Sequence, residues 1–136
     1  MTEPRPSTLI RAVLFAHGVI TLAGAVVLTV WPRVIPAAVG ITVEPRDFLL
    51  VYLVGAAELA VAVLSFGATR LADGAAIRLV VVTLAVMHGA SGLLNVLYMA
   101  QNGWSGVLVA NTGARFVAVL VLVGAWRFSV RRVHQT

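Results

Sequence analysis

The residues of this chain that can do chemistry are embedded in apolar sequence: His17, Glu58, His88 and Arg115, with the amides Asn95 and Asn111 nearby. Imidazole, carboxylate and guanidinium are the parts of a proton-transfer site. Glu58 or a histidine can move a proton while Arg115 holds an anionic or enolate oxygen, and a dry setting strengthens both effects. In MHGASGLLNVLYM, Met87 to Met99, a spacing of seven returns the chain to nearly the same helical azimuth. His88, Ser91, Gly92, Asn95 and Met99 therefore form one stripe. Comparable stripes join His17, Thr21 and Gly24, then Gly55, Glu58, Ala62 and Ser65, while Asn111 and Arg115 are four apart.

The elements that position these groups follow from composition. The 136 residues are 60% hydrophobic and 11% charged, and the mean hydropathy is +1.00. Soluble domains carry about a quarter charged residues. An integral membrane protein of one domain, residues 1–136, is expected. Four segments reach the roughly 20 apolar residues a spanning helix needs: 9–30, 48–66, 75–100 and 104–126. Pro32, Pro36 and Pro45, then Gly67, Asp73 with Gly74, and Asn102 with Gly103 punctuate them. WPRVIPAAVGITVEPRD, residues 31–47, is the long connection, and its Val, Ile and Ala content predicts an interfacial position. The first segment exceeds the 7 to 15 residues of a signal-peptide core, so it is expected to be a retained helix. Cysteine is absent, which removes disulfides, thiolate metal sites and dithiol redox chemistry.

The formal charge of +5 is explained by topology. Arg5, Arg11, Arg70, Arg78, Arg127, Arg131 and Arg132 fall on one side, Arg33 and Arg46 on the other with Glu44 and Asp47 beside them. The positive-inside bias predicts both termini in the cytoplasm and a multi-pass protein of the inner, cytoplasmic membrane. No nucleic-acid partner is expected. Trp31, Trp104 and Trp126 fall at helix ends and read as interfacial anchors, and Tyr98 fits the same role.

Arg115 remains inside the fourth segment, where a cation costs roughly 2.5 to 3.5 kcal/mol on insertion scales, and Glu58 is equally deep in the second. With aligned helix ends and a rise of about 1.5 Å per residue, His17 and Glu58 lie about 12 Å in, His88 about 14 Å and Arg115 about 17 Å. Asn95 and Asn111 come out higher, at roughly 22 to 24 Å. The expectation is one polar layer of His17, Glu58, His88 and Arg115 as acid–base residues. Tyr52, Thr21, Ser91, Asn95 and Asn111 would contact the substrate. Alanine pairs Ala12 with Ala16, Ala56 with Ala60 and Ala114 with Ala118 are expected to let the backbones approach.

Other readings use the same residues. They can simply brace the bundle and fix its register. Glu58 can carry protons in a small coupled transporter. A metal site is not expected, because two histidines and one carboxylate would have to come from three helices beside a cationic Arg115. The sequence requires no cofactor.

GAAELAVAVLSFGATRLADGAA, residues 55–76, resembles the second helix of DoxX-like four-helix membrane proteins: a Gly-x-x-Glu-Leu start, a small and aliphatic run, a closing Gly and then Thr-Arg. The matching positions are Gly55, Glu58, Leu59, Gly67, Thr69 and Arg70. WSGVLVANTGAR, residues 104–115, is similar to the fourth helix of related small proteins, including those like anthrone oxygenases. The resemblance implies a membrane partner in redox or quinone-related processes, or a small enzyme acting on lipophilic aromatic or isoprenoid compounds. The reading that results is an all-α, antiparallel four-helix transmembrane bundle that binds and acid–base converts a small lipophilic molecule of quinone, polyketide or isoprenoid type. An isomerase, cyclase or oxygenase-like activity fits that chemistry. The alternatives are a non-catalytic subunit docking a redox complex or a proton-coupled transporter. Partners are the bilayer, the lipophilic ligand, and a second copy or a membrane complex.

Overall fold

The computed structural model describes residues 7–133, with side chains through Ser129; Arg5, Arg131 and Arg132 of the charge argument fall outside the described side chains. The described residues are all-helical outside their turns, in the order α1 (Thr8–Val30), a short α2 (Val34–Ala38), a 3-10 turn (Pro45–Asp47), α3 (Phe48–Ala68), α4 (Gly74–Asn102) and α5 (Gly106–Val133). Four of these, α1, α3, α4 and α5, are long and apolar enough to cross a bilayer, which makes the chain a multi-pass integral membrane protein.

Each boundary has a local cause. Pro32 follows the end of α1, and Gly40, with φ +80°, turns the connection after α2. Asp73 caps α4 by accepting the Ala75 N–H at 2.8 Å, and Gly103, with φ +98°, ends it. Ser105 accepts the Leu108 N–H at 3.1 Å, so α5 starts at Gly106 and not at Trp104 as expected. Its far end also differs. No breaker follows Trp126, and the helix runs on to Val133.

The helices pair as two antiparallel hairpins, α1 with α3 and α4 with α5, joined mainly by α1 against α5. The core fills the end nearest the termini: Ile10, Leu14, Ala68, Ile77, Val80, Val81, Leu84, Leu122 and Ala125 are buried together. Trp126 packs against this cluster with its ring over Gly74, so it is a core residue as well as a helix-end aromatic. Trp31 and Trp104 are exposed. Arg11 Nη2 donates to Leu71 C=O at 3.2 Å and closes the turn between α3 and α4.

Close approach comes from glycine, not from the expected alanine pairs. Ala12, Ala16, Ala56, Ala60 and Ala114 point outward. Gly18 instead receives the Phe66 ring so tightly that a Cβ there would lie 2.8 Å from Cε1, and Gly92 receives Phe116 at 3.1 Å. An aromatic ring laid on a helix backbone needs the whole side chain removed, which a methyl-bearing alanine does not do.

Candidate functional site

Helix register separates the polar residues that the depth estimate put in one layer. On the first hairpin Arg11 reaches Leu71, His17 meets Ser65, and Gly55 packs on Leu28. Glu58 is therefore level with Gly24, seven residues or about 10 Å farther from the termini than His17. The helix ends are not aligned. Arg11 of α1 stands beside Leu71, beyond the end of α3, and this offset is what the estimate lacked. On the second hairpin Gly92 lies against Phe116 and Asn95 bonds to Asn111, so Arg115 sits about one turn beyond His88. Two polar regions result.

The first joins the hairpins. His17 and His88 meet at Nε2 to Nε2, 2.7 Å, with their rings nearly perpendicular. His17 Nδ1 lies 2.9 Å from Ser65 Oγ, and Ser65 donates to Val61 C=O at 2.8 Å. A hydroxyl has one hydrogen, so with that hydrogen on Val61 C=O the Ser65 Oγ accepts from His17. That makes His17 the Nδ1–H tautomer, its Nε2 the acceptor, and His88 the Nε2–H donor. His88 Nδ1 is then a buried lone pair without a protein partner. Ser65 had a signal in the sequence, its place on the Glu58 stripe, but it was not among the expected site residues.

The second region is a cavity of about 480 Å³ lined by Glu58, Ser91 and Arg115 together with Leu50, Leu53, Val54, Ala57, Val61 and Met87. Its aliphatic wall opens to the outside of the bundle: Leu50, Leu53 and Val54 are 67%, 58% and 52% exposed. Arg115 donates from Nε to Asn111 Oδ1 at 3.0 Å, and Asn95 donates to the same oxygen at 3.1 Å. Asn111 thus orients the guanidinium, and Asn95 holds Asn111 in place. Glu58 and Arg115 face one cavity without closing on each other; among the described residues the ion pair within 4 Å is Glu44 with Arg46.

The remaining expected residues have other partners. The Thr21 hydroxyl donates to His17 C=O and Gly18 C=O within its own helix. Ser91 donates to Met87 C=O at 2.7 Å while still lining the cavity. Tyr52 is 40% exposed with its ring against Phe48, outside the cavity lining. His17 and His88 also stand outside that lining. No three His, Asp or Glu side chains converge among the described residues.

Fold and site together define a four-helix membrane protein with a charged cavity at mid-helix. Compared with known family models, curated proteins and solved structures, the chain matches none.

Proposed function

We propose that this protein binds a small lipophilic molecule in the cavity between α3, α4 and α5 and moves a proton on it. The observation that carries this reading is the arrangement of Glu58 and Arg115, which line one bilayer-facing cavity without neutralising one another by contact. A buried charge is retained in a membrane at a cost of several kcal/mol, so two that stay apart are available to a third group. Arg115, oriented by Asn111 with Asn95 behind it, holds an oxygen that gains negative charge. Glu58 exchanges the proton.

A docking subunit would need only filled packing between its polar seams, and the cavity favours the ligand reading over that one. The DoxX-like reading of residues 55–76 would imply the same class of ligand, and positive-inside asymmetry supports a cytoplasmic-membrane location with both termini inside. The histidine pair supports the site from below by tying α1 to α4. The test is native mass spectrometry of the full chain released from membranes. A lipophile should accompany the wild type and be lost from Arg115→Gln and from Glu58→Gln; equal retention by both variants would place it elsewhere.

A further inference from the structure

The polar residues of the cavity lie together at one depth, with Val61 and Met87 on the side of the termini and the exposed wall on the other, and that arrangement constrains the ligand. Glu58 is the middle residue of α3, while Leu50 is eight residues nearer its start, about 12 Å along the axis. Glu58, Ser91 and Arg115 thus lie deep, and the exposed Leu50, Leu53 and Val54 lead from them along the wall toward the end opposite the termini. A ligand arriving from the leaflet has to bring its polar group to the middle of the bilayer. A phospholipid carries its headgroup at the surface, and a permanently charged group at the bilayer centre costs several kcal/mol.

The geometry points to a neutral, weakly acidic lipophile, with an enol or phenol O–H on an apolar body, that enters from the bilayer and is ionised only between Glu58 and Arg115. This rests on the cavity being the ligand site. The step balances without an oxidant or a second reactant: the ligand O–H bond breaks, its proton forms the O–H of a Glu58 carboxylic acid, and the electron pair stays on the ligand oxygen, held by Arg115. Net charge in the cavity does not change. Before transfer the Glu58 carboxylate offsets Arg115, and afterwards the ligand anion does. Arg115 Nε is already committed to Asn111, which leaves the Nη hydrogens for that oxygen. At about 480 Å³ the cavity falls within the roughly 300 to 1,000 Å³ of small-molecule sites.

The experiment uses the full chain in phosphatidylcholine nanodiscs with a para-heptyl ortho-nitrophenol, whose visible absorption reports the phenolate, and its methyl ether. The wild type should bind the phenol about tenfold or more tightly than the ether, the worth of a hydrogen bond to a charged group, and should raise the phenolate band. Glu58→Gln should lose the band, and Arg115→Gln should lose both band and preference. Val54→Trp, which fills the wall without touching the charges, should weaken both probes. Equal binding of phenol and ether by the wild type, with both weakened by Val54→Trp, would overturn the weak-acid inference and leave the cavity as the ligand site. Binding of neither probe, together with no co-purifying lipophile, would overturn both.

Discussion

His17 and His88 share a single hydrogen across 2.7 Å between Nε2 atoms, and this contact links the α1–α3 hairpin to the α4–α5 hairpin. With the Ser65 hydrogen on Val61 C=O, His17 carries its proton on Nδ1 and His88 donates across the contact. Of the three imidazoles in nitrogen-15 spectra of histidine-labelled protein, the two assigned to His17 and His88 by single substitution should therefore be an Nδ1–H and an Nε2–H tautomer, with His134 contributing the third signal. The reverse assignment would break the chain of donors at Ser65.

The same contact predicts energetic coupling. His17→Ala and His88→Ala each remove one partner, so the double variant should lose less stability than the two singles added. Interhelical hydrogen bonds in membranes give coupling energies of about 0.6 kcal/mol, reaching about 1.7. Detergent unfolding of the four proteins measures it, and strict additivity would show that the hairpins are held by packing alone.

Gly18 and Gly24 lie on one helix but meet different surroundings. A methyl group at Gly18 collides with the Phe66 ring, whereas nothing lies within 4 Å of one at Gly24. Gly18→Ala should destabilise by up to about 2 kcal/mol, overpacking of roughly 1 to 3 kcal/mol less the roughly 1 kcal/mol alanine gains over glycine in a helix, and Phe66→Leu should restore part of that loss. Gly24→Ala should be neutral or stabilising by up to about 1 kcal/mol. Equal effects at the two sites would mean that Phe66 does not rest on Gly18.

Glu58 and Arg115 share a cavity without ion-pair contact, so Glu58→Gln should change ligand conversion far more than stability. Breaking a contacting buried pair costs roughly 3 to 5 kcal/mol, and the loss here should stay well below that. A drop of that full size on unfolding would mean that the two side chains close on each other in the bilayer.

Topology can be read directly. Reporters fused at either terminus should register as cytoplasmic, and one at Gly103 as external, because Arg11, Arg70, Arg78 and Arg127 lie at the same end of the bundle and the Gly103 turn is uncharged. A cytoplasmic signal at Gly103 would reverse the orientation.

The sequence by itself determined the four long helices and, where polar and small residues form a stripe, the face that turns inward, although most of the alanines it offered for close approach point outward. Hydropathy depends on residue type alone, and the periodicity of His88, Ser91, Gly92, Asn95 and Met99 is a property of one helix; Gly92 and Met99 are buried as that stripe requires. What one helix cannot state is its axial offset against another. That offset is set by large side chains seating on glycines, Phe66 on Gly18 and Phe116 on Gly92, and by Arg11 closing onto Leu71. Only the tertiary structure therefore decided that His17 pairs with Ser65 and His88 while Glu58 rises to a separate cavity with Arg115. A slide of seven residues leaves every helical stripe unchanged and moves a carboxylate about 10 Å, because two turns restore azimuth but not height.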